Sequence, residues 1–513
     1  MAQQASHKND LIALVRSLGF LCFMLTLIIL APLVLLFFWP EEAHEAPAFL
    51  IPAAATFTTG ALLLFLSRGR HALVLRKHAS SMILLLLWII AVAFCSIPFQ
   101  LVGYTLPQAV FEAMSGLTTT GLTVTDVTAV SHLVLLYRSL LHLIGGVGLV
   151  LVLTAILANY YGMQLFTAEG HTDRLSTSPF RSARTILSLY GGFIVAGIIL
   201  YCISGMPLFD AVNYAISAVA TGGFAIHPDS IGHYQSVPID LITMVLMLLG
   251  ATNFMASSLF FRGKWKDYFS HIEVRCVAVL LAITGPIGAV QLVVDHVSPS
   301  ILLAIDHSFF QMISILTTTG LSNVNDYLHV AGFALVPAIV LMFVGGNTDS
   351  TAGGLKAFRF ALGAKSLYWD FRDSLRSERT ISPRKIRRFG VDRTVSRDEI
   401  SRNYAYLIAY FAIACFGAFL LMLCGYSVQD SFLEFVSALG TVGLSVGVTS
   451  ASASAPTLWI LIVGMLIARL EIFVFLFGLA RLVGNVRDLK NHRHMRRKEH
   501  IRAARQKKEE PDG

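Results

Sequence analysis

Four stretches of this 513-residue chain repeat one pattern: a serine, five residues, a glycine, then leucine or phenylalanine. They read SGLTTTGLTV from Ser115, SAVATGGFAI from Ser217, SILTTTGLSN from Ser314 and SALGTVGLSV from Ser437. Set on their serines they align without gaps, so Gly121, Gly223, Gly320 and Gly443 coincide, as do Thr119, Thr221, Thr318 and Thr441. Such a repeat constrains the fold strongly, because matched segments of one chain ask for matched structural positions.

Each copy sits in the same context. Apolar residues make up 55% of the sequence and charged ones 14%, which places the chain in a bilayer, where a helix needs roughly 20 apolar residues to cross. The first uncharged run, Ser17–Trp39, is longer than a signal-peptide core of about 7–15 residues and reads as a retained span. A leading pair of spans is predicted over Leu11–Trp39 and Phe49–Ser67. Four units follow, each with a span, a short apolar segment, the repeated loop and a second span. The short segments are Gln108–Leu117, Phe209–Val219, Ile305–Leu316 and Val428–Leu439. The second spans are read over Leu133–Tyr160, Pro238–Phe261, Gly332–Tyr368 and Thr457–Gly484.

Segments too brief to cross are tolerated at membrane depth only where protein or a water-filled cavity covers their backbone. Four of them imply one shared cavity. The sequence therefore predicts an all-α integral membrane protein of about ten transmembrane helices, with four helix–pore-loop–helix repeats around one central pore. The boundaries are 1–67 for an N-terminal two-helix segment, 68–165, 170–265, 270–368 and 404–485 for the four pore repeats, 369–403 for a charged cytoplasmic loop, and 486–513 for a basic tail.

The net charge of +8 does not mark a nucleic-acid binder, because Lys and Arg gather in clusters separated by pairs of apolar segments. The connections inside a pair, such as Pro40–Pro47, carry acids and no Lys or Arg. The positive-inside rule then makes every basic cluster, and both termini, cytoplasmic. Cys22, Cys95, Cys202, Cys276, Cys415 and Cys424 lie in or beside apolar segments without a C-x-x-C pair, so no disulfide, structural metal or cofactor is expected.

The loop composition suits cation passage. A dehydrated potassium ion needs a cage of oxygens, which a ring of backbone carbonyls supplies, and glycine relaxes the backbone that must present them. The candidate ion-binding residues are Thr119, Thr120 and Gly121; Thr221, Gly222 and Gly223; Thr318, Thr319 and Gly320; and Thr441, Val442 and Gly443. The short helix before each loop would aim its negative end at the cavity, with Asp210, Asp306 and Asp430 near three of the opposite ends. The alternative is that Thr and Gly here serve only helix packing.

With these loops the chain resembles the Trk/Ktr/HKT superfamily of cation transporters from about Arg68 to Gly484, and its leading helix pair is most like the bacterial Trk type. Gly345–Phe360 (GGNTDSTAGGLKAFRF) looks like the family's intramembrane gating loop, and Ala468–Phe477 (ARLEIFVFLF) like its last helix, with the signature Arg469. The gate is accordingly assigned to Gly345, Gly346, Gly353, Gly354, Lys356 and Arg469. Non-helical backbone at that depth must line a cavity, and an ionisable residue well inside a span is a functional candidate; the alternatives are a packing kink and an Arg469–Glu471 ion pair. Lys356 is read either as acting beside Arg469 or as the first residue of a snorkelling helix. Arg138 and His142 share a helix face and read as structural, with Arg138 anchoring a pore loop through Glu112.

The resemblance implies a potassium translocation subunit of a bacterial inner-membrane uptake system, passive or ion-coupled as a symport, acting as a homodimer with a cytosolic nucleotide-binding regulatory (TrkA-like) subunit. The basic stretches are open to that partner or to membrane lipid. A sodium-selective or sodium-coupled member is the alternative, opposed by Gly121, which sodium-preferring plant relatives replace with Ser. Gly222 and Val442 break the symmetry of the four loops. A membrane enzyme is disfavoured: no H-E-x-x-H motif is present, and GLSVG at Gly443–Gly447 falls inside a loop without the strand-to-helix setting of a nucleophile elbow.

Overall fold

The apolar runs form helices, and six of them are long and apolar enough to cross a bilayer; counting each of two bent pairs as one span raises this to eight. These counts refer to the described residues of a computed structural model, which covers residues 2–68, 79–148, 179–324, 327–330, 332–375 and 383–484. The basic tail, most of the Arg68–Lys77 cluster and the continuation of the first unit's second span beyond 148 lie outside them. The remaining two second-span positions of the ten expected hold shorter apolar helices, His132–Val147 and Gly332–Val344. Large side chains such as Leu27, Phe65, Ile203 and Ile408 point outward from the spans, as lipid-facing residues must.

The leading pair, Ala2–Leu30 and Ala46–Leu66, packs together and against Ala79–Leu101. The four first spans are Ala79–Leu101, Pro179–Ile203, Ile272–Val294 and Arg397–Leu423. Each is followed by a pore helix: Leu106–Leu117, Leu208–Val219, Ile301–Leu316 and Val428–Gly440. Polar caps start three of these. Thr105 and Gln108 form a capping box, Ser300 accepts from the Leu303 amide, and Ser427 accepts from the Asp430 amide, each satisfying donors that a helix start leaves open. Because the helix capped by Ser300 starts at Ile301, four residues before the expected Ile305, Asp306 lies in the second turn rather than at the start.

The second spans depart from the expectation of one continuous helix outside the third unit. Val237–Ala251 and Phe254–Phe261 meet at 116°, and Ala455–Leu470 and Ile472–Gly484 at 105°. Asn253 caps the second half of the first pair by accepting from the Met255 and Ala256 amides. In the third unit Leu335–Val344 and Ala357–Ser374 are separated by the glycine-rich segment 345–356. In the first unit the helix ends at Gly148, at φ 91°.

The charged loop also holds structure that composition did not reveal. Lys385–Arg388 pairs antiparallel with Val391–Thr394, joined by Phe389 and Gly390 at φ 50° and 80°, the left-handed pair that a tight hairpin needs. Ile386 and Val395 pack with Ile272, Leu362 and Trp369 in a small separate core.

Candidate ion pathway

Every pore helix ends in the same backbone device. The amides of Thr120, Gly222, Thr319 and Val442 donate to the carbonyls of Ser115, Ser217, Ser314 and Ser437 at 2.8–2.9 Å. One residue earlier, the amides of Thr119, Thr221, Thr318 and Thr441 donate to Gly116, Ala218, Ile315 and Ala438 at 3.1–3.2 Å. This is a Schellman closure, whose left-handed residue is usually glycine. Here it is threonine four times, at φ 54°, 51°, 55° and 52°. A β-branched residue in that region is an outlier that costs on the order of 1–3 kcal/mol, and such strain clusters at functional sites.

Handedness then alternates. Thr118, Ala220 and Thr317 are right-handed, the threonines left-handed, the next residues not positive, and Gly121, Gly223, Gly320 and Gly443 positive again at 88°, 82°, 77° and 89°. Such alternation turns successive carbonyls to one side of the strand, a geometry that only glycine accepts cheaply at its last step.

The four glycines close a ring. A Cβ built on Gly121 would stand 3.2 Å from the Cα of Gly223 and collide with the Gly222 carbonyl. Gly223 meets the Thr319 carbonyl in the same way, Gly320 meets Val442 and Gly443, and Gly443 meets Thr120 and Gly121. The order runs first loop to second, third, fourth and back to first, so eight of the twelve predicted loop residues, Thr120, Gly121, Gly222, Gly223, Thr319, Gly320, Val442 and Gly443, meet in one closed ring.

The two departures from the pattern have different local settings. Thr120 and Thr319 turn their hydroxyls away to Thr118 and Thr317, at 2.7 and 2.8 Å. Gly222 occupies the matching place because a Cβ there would enter the ring of His142, which stacks on Phe224 at 4.2 Å. Val442 buries its side chain completely.

Buried polar side chains behind the ring fix the loops, and only the Glu112–Arg138 pair among them was expected from sequence. Glu112 accepts from the Thr123 hydroxyl and the Val124 and Thr125 amides at 2.6, 2.6 and 3.1 Å. Arg138 lies 3.3 Å from the same carboxylate and donates to Thr123 and to the Ala225 carbonyl. It also covers the Phe224 ring at 4.0 Å, so the expected anchor ties two loops together. Glu434 does likewise in the fourth loop, accepting from Ser445, Val446 and Thr449. Gln311, with its side-chain amide turned so that Oε1 faces the backbone, accepts from the Asn323 and Val324 amides at 3.2 Å, and Tyr214 donates to the Ser230 carbonyl at 3.0 Å. All four lie three residues before the repeated serine, and that shared offset was the available signal.

Beneath the ring lies the segment Gly345–Lys356. Its glycines allow it to fold on itself, since a Cβ on Gly345 would strike Gly353 and Gly354, and one on Gly346 would strike Ala352. The Thr351 hydroxyl meets that of Thr221 at 3.0 Å and the carbonyls of Gly250 and Val219. The Gly353 amide donates to Thr318 at 2.8 Å, and a Cβ on Gly353 would collide with the Thr441 hydroxyl. Three of the four ring threonines thus face this segment. Lys356 donates to the Ala352 carbonyl, and Arg469 to the Gly145 carbonyl with Trp88 5.5 Å away. Glu471, the acid considered for Arg469, holds Arg359 at 2.7 Å.

The family model described as TrkH, cation transport protein, matches residues 45–482. The Trk system potassium uptake protein TrkH of Halomonas elongata is 32% identical over 483 residues, covering 90% of this chain and 96% of that protein. The Escherichia coli potassium uptake protein TrkG is 29% identical, covering 89% and 95%. The crystal structure of the potassium transporter TrkH from Vibrio parahaemolyticus matches with a TM-score of 0.80 at 25% identity, over 91% of this chain and 98% of that one. The four-loop ring thus stands in a chain that belongs to the TrkH family of cation transport proteins, a multi-pass membrane transporter rather than an enzyme.

Proposed function

We propose that the chain is the potassium-translocating subunit of a bacterial uptake system, seated in the inner membrane with both termini cytoplasmic. Potassium, the substrate, would lose its water to the carbonyls of Thr119–Gly121, Thr221–Gly223, Thr318–Gly320 and Thr441–Gly443. The observation that carries this reading is the closed ring, in which each glycine abuts the next loop. Gly345, Gly346, Gly353, Gly354, Lys356 and Arg469 would form the gate, since the segment lies against the ring threonines. A homodimer regulated by a cytosolic nucleotide-binding (TrkA-like) subunit completes the proposal on the strength of the motif resemblance.

Reconstitution of the purified chain in liposomes tests it. Rubidium should enter in preference to sodium, and Gly121→Ser should lower that preference, because the new side chain sits at φ 88° against Gly222. Unchanged discrimination would sink the filter assignment, and sodium preference in the unmodified chain would favour the sodium-selective alternative.

A further inference from the structure

We infer that the cavity beneath the ring binds a phosphate-bearing dianion. The cavity measures about 470 Å³ and reaches from Gly353 and Thr441 to the arginines of the hairpin region, within the roughly 300–1,000 Å³ of small-molecule sites. Six cationic side chains line it: Lys356, Arg359, Arg388, Arg393, Arg402 and Arg469. Asp349, Glu399 and Glu471 share the wall, and Glu273 stands behind Arg388 at 3.5 Å. Six cations against four carboxylates leave an excess of two positive charges.

Their arrangement favours phosphate over a simple halide. Arg359 and Arg393 already hold Glu471 and Glu399 at 2.7 and 2.9 Å, whereas Arg402 is exposed and forms no ion pair among the described residues. Guanidinium forks match the paired oxygens of phosphate, and a dianion matches the excess charge. The helices Phe254–Phe261, Ala357–Ser374 and Ile472–Gly484 all begin at this wall, and helix starts carry partial positive charge that adds to the same field. A cation transporter with a cationic chamber reaching its ring at Thr441 has an electrostatic mismatch that such an anion would remove.

Two sources carry this chemistry, a soluble phosphate and an anionic lipid headgroup. The full chain in phosphatidylcholine nanodiscs is titrated with pyrophosphate by calorimetry, and separately purified from phosphatidic-acid nanodiscs for native mass spectrometry of retained lipid. Saturable pyrophosphate binding, weakened roughly tenfold or more in Arg402→Gln/Arg393→Gln, supports a soluble ligand. Phosphatidic acid retained by the parent and lost from the variant supports a lipid headgroup. Neither ligand binding to the parent, or equal binding to parent and variant, overturns the inference. Thermal unfolding of the variant, expected to match the parent because both arginines are exposed, separates lost binding from lost fold. Binding is read directly, so the result is independent of the rubidium flux assay.

Discussion

At the scale of single residues, the ring is built from choices that local propensity opposes. Threonine at φ near 50° is costly, yet four threonines adopt it, and glycine in their place would relieve the strain but remove the hydroxyls that meet Thr351 and the Gly353 amide. Gly222 illustrates the converse, a small residue required by a neighbour. Gly222→Thr should destabilise the protein by about 1–3 kcal/mol through overpacking against His142, and His142→Ala should restore much of that loss in the double variant. Thermal unfolding in detergent measures both, and an absence of rescue would show that another contact excludes the side chain. Glu112→Ala should cost more, about 3–5 kcal/mol, because Arg138, 1% exposed, would be left buried without its carboxylate. Arg138→Met added to Glu112→Ala should recover part of the stability.

At the scale of elements, the pore helices were legible in sequence because their length and their caps are local properties. The bends of the second helices were not. The run from Thr457 to Gly484 reads as one apolar helix, and it breaks at Glu471, at φ 60°, where the carboxylate reaches Arg359, 112 residues away in the chain. The break at Thr252 rests on the Asn253 side chain capping a new helix and on the Asp349 carbonyl accepting from Phe254. The Arg359 and Asp349 partners lie outside any window of sequence, and the local Asn253 cap alone does not mark a break in so apolar a run. The hairpin was hidden for a different reason, since three of the four residues in Lys385–Arg388 are cationic and mask the alternation that marks a strand. These bends gather the helix starts and Arg469 under the ring. Arg469→Ala should therefore raise rubidium flux, because a guanidinium held beneath the ring by the Gly145 carbonyl repels a passing cation. Unchanged flux with a fall in protein level would make Arg469 a structural residue instead.

At the scale of the whole molecule, the repeat foretold that four loops share one cavity, but not the order in which they touch. That order follows from the closed sequence of glycine contacts, and it makes the ring a single object whose loops are held by different side chains. The first and fourth loops are tied to buried glutamates, the third to a glutamine and the second to a tyrosine. If the ring selects the ion, serine at any of the four glycines must disturb a neighbour as well as its own loop. Gly121→Ser, Gly223→Ser, Gly320→Ser and Gly443→Ser should each lower rubidium-over-sodium discrimination, because each new Cβ strikes the carbonyl of the adjoining loop. The effect should be largest where the neighbour is least able to shift, at Gly223, Gly320 and Gly443, where the new side chain meets Thr319, Val442 and Thr120, whose own side chains are fully buried, and smallest at Gly121, which meets Gly222. Flux ratios for the four variants in liposomes of one composition test this, and a single silent position would mean that its loop stands outside the selecting ring.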